Sequence, residues 1–154
     1  MKLAEALVIR ADLQQKINEL ETRLENNATV QEGETPAEDP QDLLAQLDRA
    51  LEELEKLVAE INLTNAAVEK DGVTMTELLA KRDGQKRRLG VMRSFLDCAS
   101  IPQHRTRANE IIVKSTVPVT KLQSAVDRQS ADLRRLELTI QAMNWEADLL
   151  EKTE

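Results

Sequence analysis

Residues 119–150 read VTKLQSAVDRQSADLRRLELTIQAMNWEADLL, and their spacing decides the fold class. Val119, Val126, Leu133, Ile140 and Ala147 recur as one column. Leu122, Leu136, Met143 and Leu150 form a second, with Gln129 as its polar interruption. Columns offset by three and four residues fall on one face of a helix. The run from about Pro118 to Glu151 predicts a helix on the order of 50 Å long at ~1.5 Å per residue. A helix of that length overhangs a compact bundle unless a second copy covers it.

The same spacing recurs upstream. In a helix predicted to open at the capping box Thr74/Glu77, Leu78, Met92 and Ala99 form one column and Leu89 and Leu96 the other. Arg82 and Gln85 occupy column positions, and Pro102 requires the helix to end before it. The second helix starts with Asp39 as N-cap and Pro40 at its first position. Its columns read Leu44, Leu51, Val58 and Leu47, Leu54, Ile61, Val68, with Asn65 interrupting the first and Asn62 flanking it. Lys70-Asp71-Gly72 reads as a turn. The first helix, about Leu3 to Glu25, has Ala6, Leu13, Leu20 and Leu3, Ile17, Leu24, with Arg10 where an apolar residue belongs. Residues 26–40 form an acidic loop punctuated by Gly33, Pro36 and Pro40.

One segment departs from helical spacing. Residues 110–117 (Glu-Ile-Ile-Val-Lys-Ser-Thr-Val) are β-branched and short, and predict a strand or extended arm. A lone strand cannot satisfy its backbone, so it needs a hairpin partner within 101–108 or a second copy. The expected fold is mainly α: one domain over 1–154, an antiparallel bundle of four long helices, with a short extended segment or hairpin at about 101–117.

Composition agrees. Aromatics are limited to Phe95 and Trp145, while a β core draws on aromatic and β-branched residues. Cys98 is alone and is expected as a small buried hydrophobe; the chain therefore holds no internal disulfide, and a reducing, cytoplasmic compartment is expected. The opening residues lack the order of a signal peptide, and the longest apolar run, Ala6 to Ile9, is far below the ~20 residues of a membrane span. The net charge of −7 is unevenly distributed: residues 1–80 carry 7 basic and 18 acidic groups, residues 81–135 carry 13 and 5. Helices of opposite charge lying side by side, within a chain or between subunits, account for this more simply than nucleic acid, for which interleaved aromatics are missing.

The polar interruptions are the candidate site. In an up-and-down bundle, Arg10, Asn62, Asn65, Arg82, Asp83 and Asn144 fall at one end, with Asp12 beside Arg10. A buried guanidinium needs a carboxylate or a bound anion, so the set either fixes helix register or binds a small anion. Trp145, off both columns, is a candidate oligomer contact. With His104 as the sole histidine, two-histidine metal motifs are excluded; no metal site and no cofactor are expected. The isolated glycines make no phosphate loop.

Several stretches resemble the septicolysin-like family of small bacterial proteins. They are Arg10-Ala11-Asp12-Leu13-Gln14, Val30 to Glu34 with Pro36 to Pro40, Ile61 to Ala66, Ile111 to Val117, and Asn144-Trp145. The resemblance implies little function: the family's name suggests a pore-forming cytolysin, which the lack of an interfacial apolar helix argues against. The expectation is a non-enzymatic, self-assembling helical protein, a homo-oligomer without membrane or nucleic-acid partners. An enzyme acting on an anionic substrate through Arg10, Arg82 and Asp83 is the competing class.

Overall fold

The computed structural model describes residues 1–100 and 113–151. The chain is mainly helical: α1 (Leu3–Asn26), α2 (Pro40–Ala67), β1 (Glu69–Lys70), β2 (Val73–Thr74), α3 (Met75–Ala99) and α4 (Val119–Glu146). It divides into two compact units, Met1–Thr74 with Ala142–Glu154, and Met75–Gln141. The charge asymmetry follows this division. The first unit holds 8 basic and 21 acidic residues, net −13, and the second 13 and 7, net +6.

In the first unit α1 and α2 run antiparallel. Leu20, Leu43 and Ala50 form a buried cluster, with Ile17, Leu24 and Leu47 packed on it. α1 buries Leu3, Ala6, Leu13 and Leu20, as its spacing predicts, and half-buries Arg10. Asp39 caps α2 by accepting from the Gln41 amide at 2.9 Å. The acidic loop is anchored at its far end. The Asn27 carboxamide donates to the Arg23 carbonyl at 2.9 Å, and its oxygen accepts from the Glu38 amide at 3.0 Å. Arg23 grips the Glu38 carboxylate with Nε at 3.0 Å and with Nη2. These hydrogen bonds hold the Glu38 carboxyl below its ordinary pKa and push the guanidinium up. Beyond α2, Asp71 and Gly72 both take positive φ (54° and 78°) and close a two-residue hairpin turn, pairing Glu69 with Thr74 and Lys70 with Val73. Asp-Gly suits this turn because its twist matches that of paired strands.

Residues 1–3 and 146–149 meet in the same unit. Ala147 accepts from the Leu3 amide at 3.0 Å, Met1 accepts from the Leu149 amide at 2.9 Å, and Lys2 faces Asp148 in an antiparallel bridge. The Lys2 ammonium lies 2.8 Å from the Asp148 carboxylate and donates to the Glu146 carbonyl at 3.0 Å. It therefore caps the end of α4, where carbonyls lack helical partners and the dipole is negative. Thr64, fully buried, completes the clasp: Oγ1 donates to the Glu60 carbonyl at 2.7 Å and accepts from the Leu150 amide at 2.9 Å.

In the second unit α3 and α4 also run antiparallel. Leu89, Leu96 and Val126 are buried together, with Met92, Val119, Leu122 and Leu133 against them. Lys86 pairs with Glu137 at 2.9 Å, and Arg93 donates to the Ser130 hydroxyl at 3.1 Å.

Four expectations are corrected. The inward column of α2 is Leu43, Ala50, Leu57 and Thr64; Leu44 and Leu51 face outward. α4 stops at Glu146, about 42 Å long, because residues 147–150 are drawn off to pair with the chain's start. The part of the expected strand that is described, Val113–Val117, is irregular and turns at the Ser115 hydroxyl. The remainder of 101–112 lies outside the described residues. Cys98, expected as a small buried hydrophobe, is exposed.

Candidate anion site on the third and fourth helices

The two amphipathic helices of the second unit place cations on facing flanks. Arg82 and Lys86 sit four residues apart on α3, hence on one face. Arg134, Glu137, Leu138 and Gln141 follow at spacings of three and four on α4. Together with Ile140 these residues line an open groove of about 450 Å³. The groove has an aliphatic floor in Ile140, which is buried, and a wall in Leu138, which is exposed. Its volume lies in the range of sites for small organic molecules.

The electrostatics favour an anion. Three cations and one carboxylate line the groove. Asp83 accepts from Arg82 Nε at 2.9 Å and Nη2 at 2.7 Å through a single oxygen. A guanidinium carries five N–H donors, so three remain for a ligand. Lys86 is shared with Glu137, whereas Arg134 takes no part in an ion pair among the described residues. Its neighbour Arg135 pairs with Asp132 instead.

A smaller cleft of about 200 Å³ brings Gln85, Arg88, Gln129 and Asp132 together. Gln85 and Gln129 are the polar interruptions of their respective columns. Gln85 Oε1 is buried with no hydrogen-bond donor among the described residues. Arg10 Nε, in the first unit, is a buried donor without an acceptor among the described residues.

A family model covering residues 10–149 matches the chain. The chain belongs to DUF6847, a family of unknown function. This DUF6847 chain is thus built as two antiparallel helix pairs of opposite net charge. A crystal structure of a functionally unknown conserved protein from Corynebacterium diphtheriae matches it with a TM-score of 0.91 and 32% identity. That match covers 97% of this chain and 99% of the other. No curated protein matches.

Within this DUF6847 chain the residues singled out from sequence fare differently. Arg82 and Asp83 pair directly, and Arg82 enters the groove. Arg10 is half-buried on the inward column of α1, while Asp12 is exposed and makes no ion pair among the described residues. Asn62 is exposed, Asn65 half-buried, Asn144 buried and Trp145 exposed. Lys86, Arg134 and Glu137 were missed because they lie beside the columns rather than in them. The i, i+4 pair Arg82/Lys86 was the available signal. Buried Glu60 was also missed. Among the described residues no cluster of acids, histidine and cysteine can hold a metal ion, and no helix is long and apolar enough to cross a membrane.

Proposed function

We propose that this protein is a non-enzymatic, self-assembling helical protein whose α3–α4 groove binds a small organic anion, a phosphate or carboxylate ester with an apolar body. The observation that carries this is the groove itself: Arg82, Lys86 and Arg134 converge on an aliphatic floor, with only Glu137 as a lining carboxylate. Two arginines recognise a planar or tetrahedral oxyanion through paired N–H donors. The Leu138 and Ile140 side chains offer burial to the ligand's carbon skeleton at roughly 25 cal/mol per Å².

The antiparallel four-helix bundle belongs to the same proposal, supported by the antiparallel run within each helix pair. So do the homo-oligomer, with Trp145 as a contact, and a cytoplasmic setting, supported by the single cysteine. Kinship with septicolysin-like proteins rests on the stretches around Arg10, Asn62 and Asn144, and carries no pore formation with it.

Calorimetric titration with phenyl phosphate and with inorganic phosphate tests the site. Phenyl phosphate is expected to bind at least several-fold more tightly, and Arg82→Gln with Arg134→Gln to weaken it by tenfold or more, about 1.4 kcal/mol. Equal affinity of the double variant and the wild type, or no saturable heat, contradicts the site.

A further inference from the structure

Two exposed stripes of opposite charge lie on different helices of the chain. On α2, Leu44 and Leu51 are 42% and 38% exposed, although both continue a heptad spacing through half-buried Val58. Asp48, Glu52 and Glu55, all exposed, stand on or beside that stripe. On α3, Val91 and Phe95 are 59% and 46% exposed, and Arg87 and Arg88 stand one turn before them. Lys86, Arg87, Gly90, Val91 and Ser94 line a shallow recess of about 520 Å³. A Cβ added at Gly90 would meet nothing within 4 Å, so the recess is open to an incoming side chain.

Both helices already bury a separate inward column, at Leu43/Ala50/Leu57 and at Leu89/Leu96. The outward stripes are therefore surplus to the packing of each helix pair. An apolar seam flanked by charge is the pattern of a helix that meets another helix, with the flanking charges selecting the partner. The α2 stripe is flanked by acids and the α3 stripe by bases. Each is the electrostatic complement of the other, in a chain whose two units carry −13 and +6.

We infer that the α2 stripe of one copy docks on the α3 stripe of a second copy, with Leu51 seated in the recess over Gly90 beside Val91 and Phe95. This rests on the reading of the protein as self-assembling and adds the surface. If the contact is made reciprocally it generates a two-fold dimer with two equivalent α2–α3 contacts; if not, it propagates head to tail. The apolar residues supply most of the attraction, and the charges decide orientation and suppress α2–α2 and α3–α3 pairing.

Charge reversal tests the inference. One variant carries Asp48→Lys, Glu52→Lys and Glu55→Lys, and the other Arg87→Glu and Arg88→Glu. All five positions are exposed on helices, and Lys and Glu are good helix formers, so circular dichroism should report unchanged folding. By sedimentation velocity at micromolar concentration, the wild type is expected to be a dimer or larger and each variant alone a monomer. An equimolar mixture of the two variants restores the assembly, because each reversed stripe then meets its complement. A monomeric wild type overturns both self-assembly and this surface. A wild-type assembly that persists in the single variants overturns the surface while leaving self-assembly in place. Variants that are monomeric alone and stay so when mixed overturn the pairing of the two stripes and point to a different occupant for each.

Discussion

Replacing Thr64 with valine removes one oxygen from the interior of the first unit and preserves its shape. The hydroxyl makes two bonds there, to the Glu60 carbonyl at 2.7 Å and from the Leu150 amide at 2.9 Å. The Glu60 carbonyl remains available to its helical partner, so its loss is small. The Leu150 amide loses its acceptor; being part-buried, it recovers some hydration. A lost hydrogen bond of this kind costs about 1–2 kcal/mol, less the few tenths that the added methyl contributes. For a chain of this size each kcal/mol shifts Tm by roughly 2–4 °C, so a fall of about 1–7 °C is expected. Thermal melting by circular dichroism measures it, and amide exchange at Leu150 reports whether the clasp itself has loosened. Thr64→Ser, which keeps the oxygen, should retain the Leu150 protection. A valine variant with unchanged Tm and unchanged Leu150 exchange would refute the role assigned to the hydroxyl.

Gln85→Leu replaces a buried carbonyl that has no donor among the described residues with an apolar side chain at an inward heptad position. Denaturant unfolding should show a gain on the order of 1 kcal/mol, and a loss would mean that Oε1 has a partner. Gly72→Ala forces a Cβ into φ +78°, and should cost about 1 kcal/mol by the same assay; no change would mean the hairpin turn tolerates another geometry. Acid titration should also weaken the clasp. The hydrogen bond from Lys2 holds the Asp148 carboxyl below its ordinary pKa. A carboxylate with a depressed folded-state pKa stabilises fully above its unfolded value of about 4, and that contribution fades as pH falls through the folded value. Asp148→Asn should therefore lose stability at neutral pH and show a shallower fall on the acid side. Parallel pH profiles for variant and wild type would contradict this.

Much of the fold was legible because in three helices one apolar stripe dominates. In α1, α3 and α4 one set of apolar positions three and four apart is longer than any other, as with Ala6, Leu13 and Leu20 in α1 or Leu89 and Leu96 in α3, and that set is the one buried. α2 is different. Leu43-Leu44, Ala50-Leu51 and Leu57-Val58 are adjacent apolar pairs, so two stripes fit the same heptad spacing. The buried one is continued by Thr64, whose value lies in a hydrogen bond to Leu150, 86 residues away in the chain and invisible to local periodicity. The end of α4 fails for a related reason. Ala147 and Leu150 keep the helical spacing, yet the backbone there is recruited by Met1 and Leu3. The Asp71-Gly72 dipeptide was read as a turn, and two flanking residues on each side proved enough to pair. For the candidate site, Arg82 was visible because a cation in an apolar column is anomalous. Lys86 and Arg134 were not, since a charge on a helix flank is ordinary. Only the antiparallel packing of α3 on α4 brings those flanks together.

The groove is tested most directly by the arginine side chains themselves. Nε–Hε resonances of the arginines, followed during titration with phenyl phosphate, separate a site from a diffuse charge effect. Arg82 and Arg134 are predicted to shift together along one saturating curve, while Arg49, on the exposed surface of α2, stays still. Arginine signals that all drift in parallel without saturation, or an Arg82–Arg134 pair that does not move, would contradict an anion site between α3 and α4.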